Sequence, residues 1–407
     1  MRILYVVPNV PSRIRSRPFN FIRGLSKHHQ VSVLCLVTDD SDRRFASELR
    51  QYCESLEVIE VPRWRSFWNC LGGLFSSAAL RHVYFYSPEL RRRVNEKVSR
   101  KEVDLVHAEH LKSVPMVDGA VGKIPTVFDA VDCVSMLEAR RRKFAGNPLS
   151  RIFSWTEGRR MTWSEARASQ LFDTVVITSA VDKKVYPGPR RSTERIRVIP
   201  NGVDLEYFGF QRFEPNRNLV VFCAKLDYFP NEDAALYFSQ AVWPRLLVRM
   251  PGLQLEIVGS RPPRSVRQLH GKNNIRVRGS VPDVRRFLGR AWIALCPLRI
   301  QAGIQNKILE AMALGVPVVA TRICCPGLAV EPGKHLLVAD TPEEFVSAID
   351  LLMHDDGLRS NMARAGRTYV EGCHNWDDPV TELCDTYTTA LAAFGTPATI
   401  PGPLSFP

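Results

Sequence analysis

The chain has 407 residues, of which 45% are hydrophobic and 24% charged, with a formal net charge of +13. This composition is typical of a globular protein of two domains and excludes extensive disorder, and no stretch approaches the roughly 20 apolar residues of a membrane span. The ten cysteines include no Cys-x-x-Cys pair, so we predict neither a disulfide framework nor a metal site.

The first half alternates short apolar strands with helical patterns. The strands are predicted at residues 3–7, 31–37, 58–61, 105–107, 126–129 and 175–178. Near-continuous apolar strands separated by helices indicate a parallel sheet covered on both faces. The run at residues 3–7 stops at Pro8 and is too short for a signal peptide. We therefore predict a doubly wound α/β domain over residues 1–185, in a reducing cytoplasm.

The pattern restarts after a Pro- and Arg-rich linker near residues 180–195. New strands are predicted at residues 197–199, 219–223, 255–258, 275–278, 293–296, 316–320 and 335–338. They indicate a second doubly wound domain, residues 186–375. Helical patterns follow at residues 342–354, 357–370 and 377–394. The proline-rich segment 396–407 has no periodicity and is predicted to be disordered.

A polar step opens the helix pattern of "GIQNKILEAMALGVPVVAT", residues 303–321. Gly303 precedes a helix whose first N–H groups lack internal acceptors and whose dipole is positive at that end, which suits a diphosphate. Glu310 shares a helix face with Asn306 and Lys307, so its carboxylate is placed to accept a hydrogen bond from a sugar hydroxyl of the same ligand. The alternative is that Glu310 is a solvated helix residue.

This segment resembles the helix of retaining glycosyltransferase family 4, whose members carry two glutamates separated by seven residues before "EAMA-G-PVV". "RVIPNGVDLEYF", residues 197–208, is similar to a second hallmark of that family. The resemblance covers Met1 to about Phe394. It implies the GT-B fold, with two Rossmann-like α/β domains facing across a cleft. It also implies that a terminal helix, residues 376–395, packs back on the N-terminal domain.

The resemblance implies a donor site for a nucleotide-diphosphate sugar. Glu310 would hold the ribose and Lys225 the leaving diphosphate, with no metal or other cofactor. The remaining implied donor-binding residues are Gly303, Ile304, Gln305, Asn306, Lys307, Asn201 and Gly202. Two positions depart from the family pattern: Ala302 replaces the first motif glutamate, and Pro230 stands where a second cation is expected.

Three further patterns in the N-terminal half are candidates for binding. Arg15 and Arg17, with Arg13, follow the first strand and suit phosphate as guanidinium forks; the alternative is a basic surface loop. "VDLVHAEHL" places His107 and His110 at a strand end, where the family often has an acceptor-side histidine. Glu109 would orient such a histidine. Asp129 and Asp132 follow the next strand as weaker candidates.

Residues 1–170 carry 28 Lys and Arg against 18 Asp and Glu. Within them, an aromatic and basic segment from Trp64 to Arg93 suits an anionic membrane interface. The alternative is that its aromatic residues belong to the core. Nucleic acid is not predicted as a partner, since the sequence has no RNA-binding aromatic motif and no helix-turn-helix signature.

Together these patterns predict a cytoplasmic, peripherally membrane-associated glycosyltransferase. It would move a sugar, with retention, from a nucleotide-diphosphate sugar to a glycan or lipid-linked acceptor in polysaccharide or cell-envelope assembly. Two alternatives remain open at this point: a sugar-nucleotide epimerase of the same fold, and a non-catalytic nucleotide-binding relative.

Overall fold

The structure is a computed structural model that describes residues 1–37, 40–73, 79–142, 148–188, 195–210 and 213–394. The chain divides into two compact units. The N-terminal unit comprises Met1–Pro200 with Trp376–Pro407, and the C-terminal unit comprises Asn201–Asn375. The segment predicted to be disordered, residues 396–407, lies outside the described residues.

The N-terminal unit is built on a seven-stranded sheet with the order β3-β2-β1-β4-β5-β6-β7. All neighbouring strands are parallel, and β1 pairs Ile3 with Val31 on one side and with Leu105 on the other. Hydrophobic clusters cover both faces of the sheet, which explains the near-continuous apolar strands. The strands are β1 Arg2–Val7, β2 Gln30–Val37, β3 Ser55–Glu60, β4 Leu105–Glu109, β5 Thr126–Val131, β6 Thr174–Ile177 and β7 Ile196–Val198.

The helices of this unit lie between the strands and after the second unit. They are α1 Ser16–Leu25, α2 Asp40–Arg50, α3 Arg63–Gly73, α4 Leu80–Tyr84, α5 Pro88–Ser99, α6 Val114–Val117, α7 Val134–Arg142, α8 Pro148–Leu171, α9 Ala180–Val185 and the terminal helix Asp377–Ala393. The terminal helix packs on α1 with little space between them, since a Cβ on Gly24 would lie 2.5 Å from Val380 Cγ2. The Trp376 and Phe21 rings also meet there, 5.4 Å apart.

The predicted boundary between the domains was wrong by about one strand. We assigned residues 197–199 to the second domain, but β7 pairs with β6 as the last strand of the first sheet. The contact boundary therefore lies between Pro200 and Asn201. The linker prediction failed because a strand's own sequence does not show which sheet supplies its neighbour. Residues 189–194 of the predicted linker lie outside the described part of the chain.

The C-terminal unit contains a six-stranded parallel sheet with the order β10-β9-β8-β11-β12-β13. Its strands are β8 Asn216–Cys223, β9 Gln254–Val258, β10 Ile275–Gly279, β11 Ala291–Cys296, β12 Val318–Ala320 and β13 Leu337–Val338. The strand predicted from residue 316 begins only at Val318, because Pro317 has no N–H for the ladder. One hydrophobic cluster packs the unit together.

Short helices connect these strands, and two longer helices follow the last strand. They are α10 Phe229–Tyr237, continued by a π-helical turn Phe238–Val242, α11 Trp243–Arg249, α12 Arg264–Arg267, α13 Arg285–Leu288, α14 Asn306–Leu314, α15 Pro342–His354 and α16 Asp356–Cys373. A capping box at Thr341 and Glu344 begins α15. Gly315, at φ 75°, ends α14 in the left-handed conformation that favours glycine. The terminal helix of the N-terminal unit is α17.

Candidate functional site

The start of α14 is open to an anion. Gln305 precedes the helix without a side-chain capping bond, and the first turn contains no acidic residue. The preceding loop is fixed instead by Gln301, whose Nε2 donates to the Ile323 carbonyl at 2.6 Å. Gly303 is buried and adopts φ 66°, a conformation that favours glycine. The N–H groups and positive dipole end of this helix can therefore bind negative charge.

Glu310 lies one turn into the same helix, next to buried Leu309 and Ala311. Desolvation raises the pKa of its carboxyl group to about 7, although Lys307 acts in the opposite direction. Its carboxylate makes no hydrogen bond or ion pair within the described residues. A desolvated carboxylate without donors favours binding of a ligand hydroxyl, since an unmade bond at such a group is costly.

Two lysines of the C-terminal unit contact Asn231, at the start of α10, one through its backbone and one through its side chain. Lys225 follows β8, is 56% exposed and has Asp227 at 3.8 Å; its backbone carbonyl accepts from Asn231 Nδ2 at 2.8 Å. Lys307 Nζ donates to Asn231 Oδ1 at 3.3 Å and to Gln305 Oε1 at 2.9 Å. Lys307 therefore lies beside the helix turn where Pro230 replaces the expected cation.

The sequence analysis missed a third cation, Arg261, which follows β9. Its Nη1 lies 3.8 Å from Asp227 Oδ2, on the carboxylate shared with Lys225. β8 and β9 end close together, because a Cβ on Gly259 would lie only 1.6 Å from the Ala224 carbonyl oxygen. Gly-Ser-Arg directly after a parallel strand was the signal available, since strand ends share one edge of the sheet.

Asn201 supports the helix start from the segment "PNGV". Its Nδ2 donates to Asn306 Oδ1 at 3.0 Å, and Asn201 and Gly202 are both buried. His374 Nδ1 lies 2.8 Å from the Asn201 carbonyl and its Nε2 lies 2.8 Å from the Tyr369 hydroxyl. His374 therefore donates from Nδ1 and accepts at Nε2. The sequence analysis did not identify His374, whose role depends on a contact 173 residues away.

Arg17 does not extend into a phosphate site, which corrects the sequence-based prediction. Its guanidinium forms a buried bidentate pair with Asp129, with Nε 2.7 Å from Oδ2. Its Nη1 also donates to the Ile199 carbonyl at 3.1 Å. Arg15 is half-buried and donates to the Val10 carbonyl at 2.9 Å. Arg17 thus joins α1, β5 and the end of β7 within the N-terminal unit.

His107 is also misassigned by the sequence, because it belongs to the core. Its ring is fully buried, stacks on Tyr5 with centroids 4.1 Å apart and meets the Tyr387 hydroxyl at 2.8 Å. Burial, followed by the charge of Arg17, lowers the pKa of His107 well below its ordinary value. A neutral ring enclosed by core residues cannot contact a substrate, so His107 is a structural residue.

His110 and Glu109 lie at the end of β4. His110 is half-buried at φ 63°, and its Nδ1 accepts from the Lys112 N–H at 3.3 Å. The proton of its neutral ring therefore lies on Nε2. Burial, followed by the charge of Asp129, raises the pKa of Glu109 well above its ordinary value, and the Tyr5 hydroxyl donates to Glu109 at 3.4 Å.

Asp132 lies after β5, as predicted from "TVFDAVD". Burial raises the pKa of its carboxyl group to about 7, and the charge of Asp182 adds to the shift. Val131, just before it, adopts φ 66°, which is strained for a β-branched residue. Its N–H donates to Asp129 Oδ1 at 3.1 Å and its carbonyl accepts from the Thr178 N–H at 3.0 Å. These bonds hold the turn that carries Asp132.

Helix α3 presents a stripe of large apolar side chains to solvent. Trp64, Phe67 and Trp68 are 61–64% exposed and Leu71 is 43% exposed. Their spacing of i, i+3, i+4 and i+7 places them on one helix face. Of the other predicted aromatic residues, Phe85 packs against the core and Phe75 lies outside the described residues. The sequence missed a second exposed group on α8: Ile152, Phe153, Trp155 and Trp163.

Neither a metal cluster nor a membrane span is found in the part of the chain that the structure describes. No group of three or more His, Cys, Asp or Glu side chains there could hold a metal ion. No described helix combines the length and the apolar character needed to cross a bilayer.

Two family models match the chain, one for most of each unit. The model described as "Glycosyltransferase Family 4" matches residues 18–207, and the model described as "Glycosyl transferases group 1" matches residues 217–355. The second match includes Lys225, Lys307 and Glu310.

Curated relatives match over parts of their lengths. The chain is 37% identical over 267 residues to D-inositol 3-phosphate glycosyltransferase of Acidothermus cellulolyticus, covering 58% of this chain and 54% of that protein. It is 29% identical over 154 residues to lipopolysaccharide core biosynthesis glycosyltransferase LpsE of Rhizobium meliloti, covering 36% of this chain and 44% of that protein. The chain thus spans about half the length of these relatives.

A third relative is the GDP-mannose-dependent monoacylated alpha-(1-6)-phosphatidylinositol monomannoside mannosyltransferase of Corynebacterium glutamicum. It is 25% identical over 264 residues, covering 56% of this chain and 67% of that protein.

Solved structures match nearly the whole chain. The complex of Anabaena HepE with UDP-glucose has a TM-score of 0.68 at 16% identity and covers 96% of this chain and 100% of that one. Sucrose-phosphate synthase from Thermosynechococcus elongatus has a TM-score of 0.69 at 14% identity and covers 97% and 100%. At these identities the likeness shows the fold, which is GT-B. Since both units also match glycosyltransferase models, the chain belongs to the GT-B glycosyltransferases of the family 4 type.

Proposed function

We propose that this protein transfers a sugar from a nucleotide-diphosphate sugar to a glycan or lipid-linked acceptor. The observation that carries the proposal is Glu310: a desolvated carboxylate, without a hydrogen-bond partner in the described residues, one turn into an uncapped helix. The diphosphate binds the start of α14, and Glu310 accepts hydrogen bonds from the ribose hydroxyls. The fixed rise of the helix thereby sets the spacing between the groups that bind the diphosphate and the group that binds the ribose.

Catalysis on this arrangement is electrostatic. The diphosphate gains negative charge as its bond to the sugar breaks, and the helix start, Lys225 and Lys307 stabilise that charge without rearranging. Binding donor and acceptor together also removes the entropic cost of their encounter. We propose transfer with retention, in which a departing phosphate oxygen takes the acceptor proton, and without a metal ion.

The similar proteins support a proposal for the donor and the context. HepE was solved with UDP-glucose, and the name of the Corynebacterium relative specifies GDP-mannose. LpsE is named for lipopolysaccharide core biosynthesis. On that basis we propose polysaccharide or cell-envelope glycan assembly, with a uridine or guanosine diphosphate sugar as donor. His110 is the candidate of the N-terminal unit for the acceptor side.

We further propose that the enzyme is cytoplasmic and binds the inner face of the cytoplasmic membrane through α3. Its exposed apolar stripe suits insertion at the level of the lipid headgroups. Arg65 stacks at 5.6 Å on Trp64 and adds positive charge beside the stripe. The excess of Lys and Arg in residues 1–170 favours an anionic surface. A lipid-linked acceptor would be within reach of an enzyme held there.

Neither alternative raised from the sequence, an epimerase or a non-catalytic nucleotide-binding relative, is supported by the similar proteins reported above.

Recognition of the transferred sugar differs from the family pattern at position 302. Ala302, at the position of the first motif glutamate, is 8% exposed and contributes only a methyl group. Backbone groups or ordered water would therefore contact the transferred sugar at this point.

The test is a donor panel with matched variants. Thermal unfolding is measured for the wild-type protein, Glu310→Gln and Glu214→Gln with UDP-glucose, GDP-mannose, UDP and GDP, because a ligand stabilises the state that binds it. Glu214 is an exposed glutamate of the same unit. We expect one nucleotide series to raise the melting temperature of the wild type and Glu214→Gln, with a much smaller effect on Glu310→Gln. Equal responses of all three proteins, or no response, would refute the proposed site.

A further inference from the structure

A cavity lies on one face of the C-terminal sheet, beside its edge strand β10. Its volume is about 510 Å³, enough for a small sugar ligand. Glu256 of β9 and Arg276 and Arg278 of β10 form its floor, and the segment from Pro282 to Phe287 forms a wall. The helix of that segment, α13, has only four residues.

The cavity is strongly basic. Four arginines line it, together with the acidic residues Glu256 and Asp283. Glu256 is buried and is neutralised by Arg278, whose Nε lies 3.0 Å from Oε1. Asp283 is held by two hydrogen bonds from the Arg285 guanidinium, both at 2.9 Å. The two acidic groups of the cavity are therefore already paired.

Three arginines of the cavity have no ion pair within the described residues, although the charge of Arg286 helps to lower the pKa of Asp283. Arg276, Arg286 and Arg290 are exposed and have no hydrogen bond or ion pair of their side chains in the described residues. Arg276 lies directly across from Glu256 in the strand register, yet Glu256 pairs with Arg278 instead. Three unpaired guanidinium groups around one concave surface concentrate positive potential there.

The walls add a preference beyond charge. Phe287 is half-buried with the Arg278 guanidinium 5.8 Å from its ring centre, and Leu219 and Pro282 line the same space. Asn216 and Gln254, at the starts of β8 and β9, supply amide groups that both donate and accept. Guanidinium forks suit phosphate and carboxylate groups, whereas an aromatic face with neighbouring amides suits a sugar ring.

We propose that this cavity binds an anionic saccharide, one that carries phosphate or carboxylate groups, at a site separate from the donor site. None of Lys225, Lys307 and Glu310 lines it. The arginines hold the anionic groups, and Phe287 and the amides contact the ring. A site of this chemistry would allow the enzyme to hold a charged glycan while the donor site operates.

The experiment compares three proteins: the wild type, the cavity variant Arg276→Ala/Arg286→Ala/Arg290→Ala, and a control variant of equal charge change, Arg249→Ala/Arg267→Ala/Lys272→Ala. The three control positions are exposed residues of the same unit that do not line the cavity. Binding of glucose 6-phosphate, glucuronate, glucose and inorganic phosphate is measured by calorimetry. Flotation with phosphatidylcholine vesicles, with and without phosphatidylserine, tests a lipid headgroup as the source of the anion.

We expect glucose 6-phosphate or glucuronate to bind the wild type and the control variant more tightly than glucose and inorganic phosphate do. The cavity variant should lose roughly tenfold or more in affinity, as expected for lost charge-assisted hydrogen bonds. The single variant Arg276→Gln, which keeps a polar side chain but removes the charge, should lose part of that affinity. Since the side chains of the three arginines make no hydrogen bond or ion pair in the described residues, the unliganded cavity variant should melt close to the control.

Three outcomes would overturn the proposal. The first is equal binding of the charged sugars to the cavity variant and the wild type. The second is inorganic phosphate binding as tightly as the phosphosugar, which would indicate an anion patch without sugar selection. The third is binding to phosphatidylserine vesicles that falls in the cavity variant but not in the control variant, since the proposed contact of α3 gives the wild type vesicle binding in any case. UDP binding, measured on the same variants, should remain unchanged, and its absence from all three proteins would count against the donor site only.

Discussion

Lys307 Nζ lies 3.3 Å from Asn231 Oδ1, one residue beyond Pro230 in the chain. The family pattern expects a cation at position 230, and in this protein α14 supplies a cation, Lys307, beside it. The positive charge beside this turn of α10 therefore comes from Lys307 of α14 and not from α10 itself. The charge of Lys307 also lowers the pKa of Glu310, against the larger effect of desolvation, so we expect this side chain to influence both the diphosphate and the ribose ends of the proposed site.

Lys307→Gln should weaken UDP binding by roughly tenfold or more, because it removes a charge-assisted contact to the diphosphate. Lys307→Arg retains the charge and should lose much less. Lys272→Gln, at an exposed position of the same unit, is the control. Isothermal calorimetry with UDP checks this prediction. Equal affinities for Lys307→Gln and the control would show that Lys307 only fixes the Gln305 loop.

The pKa of Glu310 predicts a pH-dependent effect on stability. Burial raises it from 4.5 to about 7, so the charged form is disfavoured in the folded protein. The unfolded chain then releases its proton first, and Glu310 lowers stability as pH rises from about 4.5 through about 7. Glu310→Gln should therefore be more stable than the wild type at pH 8, by roughly 1 to 3 kcal/mol.

That difference should shrink as the pH falls to 4.5 and below, because the carboxyl then becomes neutral in the unfolded state as well. Urea unfolding of unliganded protein at several pH values measures it, with Glu214→Gln as the control. A pH-independent difference would show that the carboxylate is better solvated or paired in solution than in the structure.

Breaking the pair of Arg17 and Asp129 should destabilise the N-terminal unit. Arg17→Met leaves a buried carboxylate without its partner and should cost about 3 to 5 kcal/mol of unfolding free energy. The double variant Arg17→Met/Asp129→Asn removes both charges and should recover part of that loss. Chemical denaturation followed by circular dichroism provides the measurement. If Arg17→Met keeps wild-type stability but loses donor affinity, Arg17 is a phosphate ligand after all.

The stripe on α3 should control membrane binding. Trp64→Ser/Phe67→Ser/Trp68→Ser removes three large exposed apolar groups and should weaken binding to phosphatidylserine-containing vesicles by roughly a thousandfold or more, as each buried side chain contributes about 1.5 to 3 kcal/mol. Val248→Ser, at an 84% exposed apolar position of the other unit, is the control. Vesicle flotation at low and high salt measures the effect.

Binding should also weaken with salt, since surface charges are screened over about 10 Å at 0.1 M. Vesicle binding that survives in the triple variant would assign the membrane contact to another surface. The exposed residues of α8, Ile152 to Trp163, would be the next to test.

Metal independence can be tested directly once a donor and an acceptor are identified. Because the helix start and two lysines supply the positive charge at the proposed diphosphate site, transfer should continue in excess EDTA at nearly its full rate. The measurement is sugar transfer, or donor hydrolysis, with and without chelator. Loss of activity that manganese restores would contradict this prediction.

The sequence by itself determined the kind of fold, and it singled out the segment where we propose the donor site. Near-continuous apolar strands separated by helices have few solutions other than a parallel sheet covered on both faces, and both sheets are parallel. Gly303, the polar step and Glu310 were recognisable because they lie within eight residues on one loop and helix. Helix geometry fixes the spacing of these residues independently of how the rest of the chain packs.

Only the tertiary structure decided the roles that depend on distant partners. Arg17 meets Asp129 across 112 residues, and His107 meets Tyr387 across 280 residues. Both therefore belong to the interior of the N-terminal unit, although the sequence pattern around each predicted a residue that binds a ligand. Lys307 meets Asn231 across 76 residues, and β7 joined the first sheet because its neighbour is β6. A side chain's partner is set by packing between elements, and spacing along the chain does not encode it.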